Sequence, residues 1–159
     1  TLRPIVLDVA GRLRVKARAH HVPVSVTGDD GMILGNRGLI DEMVYNLCDN
    51  AIKYNKPGGS VEMSVVRRGG QIVLTVSDTG VGIPPEHQER VFERFYRVDK
   101  SHSKATGGTG LGLSIVKNGA AFHKARVELD SVAGEGTTIR LLFNSIDPQE
   151  RERKEDLIR

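Results

Sequence analysis

The stretch from Leu39 to Tyr54 constrains this chain more than any other, because its residues sort into two stripes at the helical repeat. Ile40, Met43, Val44, Leu47 and Ala51 form one stripe, and Glu42, Asn46, Asn50 and Lys53 form the other. At about 100° per residue each set lies on one side of an α-helix. Such a helix must bury its apolar side against a second layer. The polar side is unusual. A solvated face more often carries Glu–Lys pairs, and asparagine costs helix propensity. Two amides and an ammonium in line can ligate a metal ion and neutralise phosphate oxygens. Taken alone, the pattern is equally that of a polar face with incidental asparagines.

Around this helix the periodicity switches several times. A helical pattern runs from about Ile5 to His20, with Ile5, Val9 and Leu13 on one side. Val22–Thr27 alternates and reads as an edge strand, because Pro23 cannot donate to a ladder. Gly28-Asp29-Asp30-Gly31 reads as a turn and Met32-Ile33-Leu34 as a short strand. Asn55-Lys56-Pro57-Gly58-Gly59 stops the central helix. Val61–Val66 and Ile72–Val76 flank Arg68-Gly69-Gly70, a hairpin pattern. A third helix is expected from about Gly110 to Phe122. Strands follow near 126–129 and 138–143, joined by Gly134-Glu135-Gly136. These elements predict an α/β fold. It is a two-layer sandwich, with about three helices on one face of a mixed, mostly antiparallel sheet. Gly119-Ala120-Ala121 leaves the third helix poor in bulky side chains, and nothing in the sequence explains that.

The chain has 159 residues, enough for one domain with a sizeable core. Its hydrophobic content of 38% and charged content of 27% are those of a globular protein. No apolar run is long enough to span a bilayer, and no signal peptide is recognisable. Cys48 is the only cysteine, which excludes an internal disulfide and fits a reducing compartment. A net charge of +3 does not argue for nucleic acid, and aromatics at 4% do not furnish a base-stacking platform. The opening Thr1-Leu2-Arg3-Pro4 reads as the start of a piece cut from a longer protein. Pro148 marks a break, so residues 1–146 are expected to form the domain and 147–159 a charged tail.

Two further motifs carry chemistry. In Asp78-Thr79-Gly80-Val81-Gly82-Ile83-Pro84 a strand runs into a carboxylate and two spaced glycines, which let the backbone approach a ligand closely. A buried carboxylate there can accept from an exocyclic amine, which separates adenine from guanine. Alone, the motif is that of an Asp-Gly turn. In Gly107-Gly108-Thr109-Gly110-Leu111-Gly112 four glycines precede an apolar helix, whose free N–H groups and dipole make a phosphate cradle. This is neither a P-loop nor a dinucleotide fingerprint, since no strand leads directly into it. Residues 97–106, polar and basic, read as a mobile lid.

Together, Asn46-x-x-x-Asn50-Ala51-x-Lys53-Tyr54, Asp78-x-Gly80-x-Gly82, Phe92-Glu93-Arg94-Phe95-Tyr96-Arg97 and Gly108-x-Gly110-Leu111-Gly112-Leu113 resemble the four boxes of a sensor histidine kinase catalytic domain. They stand in that family's order, and the resemblance covers roughly Thr1 to Phe143. It implies the Bergerat ATP-binding fold, shared with gyrase, Hsp90 and mismatch-repair ATPases. The resemblance further implies ATP and Mg²⁺ as cofactors. Asn50 and Asn46 would hold the ion, and Lys53 would contact phosphate. Tyr54 would lie against the adenine or ribose. Asp78 would accept from the adenine amine, with Gly80, Gly82 and Ile83 shaping the base pocket. Arg97, next to Tyr96 in the same box, would reach the outer phosphates with Lys100 or Lys104. Thr109, Gly110, Leu111 and Gly112 would close over the phosphates.

In the family this chain resembles, the phosphoryl group passes to a histidine on a separate dimerising helical hairpin, then to a response regulator. None of His20, His21, His87, His102 or His123 has the acidic-Arg-Pro context of that histidine, so all five read as structural or surface residues. The resemblance therefore implies a cytoplasmic catalytic fragment that binds ATP without phosphorylating itself. The full-length protein would be a homodimer anchored in the bacterial plasma membrane. Three alternatives remain on the same fold, one of them a non-catalytic module whose nucleotide pocket has decayed, which the intact boxes disfavour. Hydrolytic clamps use a glutamate one turn before the metal asparagine, where this chain has Asn46. Anti-sigma-type serine kinases are disfavoured by the Phe92–Arg97 box. One departure is local: many relatives have His-Gly-Gly where this chain has His123-Lys124-Ala125, so an altered backbone path is expected there without loss of activity.

Overall fold

The computed structural model describes residues 1–98, 112–146, 152–153 and 156–157. The elements run α1 (Arg3–Arg12), α2 (Arg14–Ala19), β1 (Val24–Gly28), α3 (Arg37–Lys53), β2 (Val61–Arg68), β3 (Gln71–Asp78), a 3₁₀ turn (Pro85–His87), α4 (Gly112–Phe122), β4 (Arg126–Val132) and β5 (Gly136–Asn144). The five strands form one sheet in the order β1-β2-β3-β5-β4. β1 joins it in parallel, and the other three pairings are antiparallel. The mixed two-layer α/β sandwich expected from the periodicity is therefore the observed architecture.

Alternation explains which face is covered. Val61, Met63 and Val65 on β2, Ile72, Leu74 and Val76 on β3, and Ile139, Leu141 and Phe143 on β5 are all buried. Register then aligns them into rows across the sheet, Met63–Val76–Ile139–Leu129 and Val65–Leu74–Leu141–Val127. The α3 stripe of Ile40, Met43, Val44, Leu47 and Ala51 packs on these rows. Asn36 starts α3 by accepting from the Leu39 N–H at 2.9 Å, which satisfies one of the helix's orphan donors. Gly119 settles what the small residues of α4 do. Any Cβ there would overlap the Met43 thioether, so the glycine lets α4 lie directly on α3.

The structure corrects three local expectations. The first helix is two helices, broken at Leu13 (φ −92°, ψ 1°), although Ile5, Val9 and Leu13 are all buried as their spacing requires. The break follows Gly11, which restrains the helix least. Met32–Leu34 is not a strand: Met32 offers its carbonyl to Ile146 N–H, and β1 takes only β2 as a partner. β1 is the edge strand expected, but it starts at Val24 and not at Val22: Pro23 stands just outside the ladder, where its carbonyl accepts from Val61 N–H at 2.9 Å. No helix among the described residues is long and apolar enough to cross a membrane.

Candidate functional site

The C-terminal half of α3, the loop after β3 and the start of α4 surround a cavity of about 410 Å³. Asn46, Asn50, Lys53, Tyr54, Asp78, Gly82, Ile83, Tyr96, Arg97 and Gly112 all contribute to its wall. Four separate sequence motifs thus converge on one hollow. Lys100, Lys104, Thr109, Gly110 and Leu111 lie outside the described residues, as does the lid beyond Val98.

Asn46 and Asn50 sit one helical turn apart on α3. The Asn46 Nδ2 donates to the Glu42 carbonyl at 2.7 Å, which leaves its Oδ1 as the outward acceptor. A Cβ built on Gly112 would stand 3.1 Å from Asn46 Oδ1 and 3.5 Å from Asn50 Nδ2. The first turn of α4 therefore abuts both amides with no side chain between them. That brings two polar amides to the positive end of a helix. Among the described residues no group of three or more His, Cys, Asp or Glu side chains could hold a metal ion. Amide oxygens that leave most coordination positions to waters and phosphate oxygens fit Mg²⁺ rather than a transition metal.

Asp78 is on the part of the wall where the loop after β3 meets the C-terminal end of α3 at Tyr54. It is the last residue of β3, paired across the sheet with Thr137 of β5. Its Oδ1 accepts from Gly80 N–H at 2.9 Å and from Thr137 N–H at 3.2 Å, so Oδ2 is left as the free acceptor. Burial pushes the Asp78 carboxyl above the usual carboxylate range, and the two backbone donors pull it back in part. The glycines of this loop let the protein's own backbone close on it. A Cβ on Gly80 would overlap the Tyr54 carbonyl, and one on Gly82 (φ +69°) the Val132 carbonyl. Val81 N–H donates to Tyr54 O, and Ile83 N–H to Ser131 Oγ, at 3.0 and 2.7 Å. The loop is pinned between α3 and the β4–β5 hairpin, with Gly82 and Ile83 on the cavity wall and Gly80 behind Asp78.

Lys53 lines the cavity in an ion pair. Asp49, nearly buried, holds Lys53 Nζ at 3.0 Å through Oδ2 and Lys16 Nζ at 2.5 Å through Oδ1. Sequence reasoning missed both partners. The Asp49–Lys53 step of four was visible, but nothing local linked Lys16. Tyr96 also has a partner, because its hydroxyl meets His87 Nδ1 and the Arg90 guanidinium lies 4.6 Å from its ring centre. His20 and His123 are likewise engaged in hydrogen bonds. His123 Nε2 accepts from Asn36 N–H, so its Nδ1 carries the proton and donates to Gly119 O. Lys124 follows at φ +54°, the left-handed conformation that a glycine would take without strain. Burial, with help from Asp49, pushes the Cys48 thiol up to about 12, which makes it an inert packing residue.

Residues 35–146 match the family of histidine kinase-, DNA gyrase B- and HSP90-like ATPases. The chain is 45% identical over 138 residues to the sensor-like histidine kinase SenX3 of Mycolicibacterium smegmatis, an overlap covering 86% of this chain and 36% of that protein. It is 45% identical over 120 residues to the phosphate regulon sensor protein PhoR of Pseudomonas aeruginosa, covering 76% of this chain and 27% of that one. Among solved structures, the mycobacterial sensor histidine kinase MprB superposes with a TM-score of 0.78 at 28% identity, covering 90% of this chain and 93% of that one. The chain spans roughly a third of the length of these curated relatives.

Proposed function

Because the chain belongs to the family of histidine kinase-, DNA gyrase B- and HSP90-like ATPases, we propose that it is the ATP-binding catalytic domain of a two-component sensor histidine kinase. The observation that carries the reading is the polarity of the cavity. One part of the wall has two amides against a helix N-terminus, and another has a half-buried carboxylate with a spare oxygen. A nucleoside triphosphate has the matching asymmetry, anionic at one end with a neutral amine donor at the other.

Asp78 accepts from the adenine amine, and the apolar wall beneath it, with Val76 and Ile139, takes the ring. Lys53 and the α4 N-terminus neutralise phosphate charge. Asn46 and Asn50 are the residues that would hold Mg²⁺, which would supply positive charge to the phosphates. No side chain of the site is a strong general base, and none is required. Phosphoryl transfer is catalysed mainly by positioning and charge neutralisation. The acceptor is a histidine on a dimerising helical hairpin, and a response regulator receives the group afterwards. Asn46 in place of the hydrolase glutamate favours this over a dedicated ATP-hydrolysing clamp. The site side chains, the domain limits at 146, the homodimer and the membrane anchorage of the full protein belong to the same proposal.

The test is transfer in trans. The chain, radiolabelled ATP and Mg²⁺ are mixed with the full-length protein's histidine-bearing hairpin as a separate polypeptide. Acid-labile label should appear on the hairpin and not on this chain. Phosphate release at equal rate with or without the hairpin would favour the hydrolase reading, and phosphohistidine on the chain alone would contradict the proposal.

A further inference from the structure

The two ion pairs of Asp49 pose a problem for a phosphate site. Lys53 Nζ touches Asp49 Oδ2, and an ammonium paired one-to-one with a carboxylate offers a polyanion no net charge. The side chain of Asp49 is 11% exposed and that of Lys53 15%, so solvent does little to separate them. Lys16 changes the balance. From α2, outside the cavity wall, it takes the other oxygen of the same carboxylate at 2.5 Å. The three groups then sum to one positive charge; Asp49 and Lys53 both line the cavity, and of the two ammonium groups it is Lys53 that reaches it.

We propose that Lys16 is a positioning residue for nucleotide binding, acting through Asp49: by neutralising that carboxylate it makes the Lys53 charge available to the phosphates. The idea rests on the ATP-binding reading above. It gives Lys16, a residue in no nucleotide motif and some distance along the chain from every one, an effect on affinity for the charged part of the ligand only. It also makes α2 part of the phosphate site's electrostatics. A merely structural Lys16–Asp49 strut would predict that losing Lys16 weakens ATP and adenosine alike. The charge argument predicts a loss for ATP alone.

Calorimetric titration of the chain and its variants with ATP and with adenosine separates these. Lys16→Met should weaken ATP roughly tenfold, as expected for moving one elementary charge within a partly screened cluster, and should leave adenosine affinity within about twofold. Lys16→Arg should bind ATP like the unmodified chain. In Lys16→Met/Asp49→Asn the offending carboxylate is gone, and ATP affinity should recover to the unmodified value or better. Equal ATP affinity in Lys16→Met, a parallel loss for adenosine, or a double variant as weak as the single one would overturn the inference while leaving the ATP site intact. An unmodified chain that binds no ATP would overturn the underlying reading, and the inference with it.

Discussion

Replacing Asp78 with asparagine isolates the base-reading interaction. The substitution preserves shape. One side-chain oxygen can still accept from Gly80 and Thr137 N–H, which now meet Oδ1 at 2.9 and 3.2 Å. The atom that changes is the one left over, which turns from acceptor into NH₂ donor. Against the adenine amine this sets donor against donor. It removes a hydrogen bond to a charged acceptor and leaves an unpaired group in a half-buried site, together about 2 kcal/mol, or roughly thirtyfold in affinity. Guanine presents a carbonyl at the same position and should gain where adenine loses. Competition of ATP and GTP against a fluorescent nucleotide should therefore show ATP preference reduced by at least about thirtyfold. A folded variant with unchanged ATP-over-GTP preference would refute the assignment of Asp78.

The same residue makes a pH prediction with a definite sign. Burial raises the Asp78 carboxyl above its unfolded value, so the native state holds this proton more tightly than the unfolded one. Its contribution to stability is then fully present below the unfolded carboxylate range and is lost as pH rises through the raised native value. Asp78→Asn should be more stable than the unmodified chain at neutral pH, with the advantage shrinking on acidification. A denaturation series at several pH values showing the reverse trend would contradict the burial argument. Asn50→Ala should weaken Mg-ATP about tenfold or more and barely change binding when Mg²⁺ is chelated; equal losses in both titrations would show that Asn50 is not an ion ligand. Lys124→Gly should raise stability by about 0.5–1 kcal/mol, because the left-handed backbone at φ +54° strains a side-chain-bearing residue and not glycine. Thermal denaturation checks it, with Lys124→Ala, which keeps the strain, as the control.

Features set by local chemistry were legible in the sequence. The stripes of α3 told which side is buried and which faces the cavity, and Arg68-Gly69-Gly70 told where β2 turns into β3. Asp78 and the amides of α3 were each recognisable from a motif, and the resemblance joined them. What was not legible depends on chain segments distant in sequence. Thr137 becomes a partner of Asp78 only through the β3–β5 register. Lys16 meets Asp49 across 33 residues, and no periodicity encodes that. The glycines after Asp78 were legible as close-approach positions, but that the backbone at Tyr54 and Val132 approaches them was not. The break at Leu13 was hidden because the apolar spacing of Ile5, Val9 and Leu13 continues across it. Gly119 was visible as a small residue, and its purpose needed the position of Met43.

The central claim is that one cavity holds the adenine at Asp78 and the phosphates between Asn46, Asn50 and the start of α4. A crystal structure of the chain with Mg²⁺ and a non-hydrolysable ATP analogue tests it directly. The adenine amine should lie within about 3 Å of Asp78 Oδ2, with the ion on the α3 amides. A nucleotide bound elsewhere, or bound here with its phosphates toward Asp78, would contradict the account.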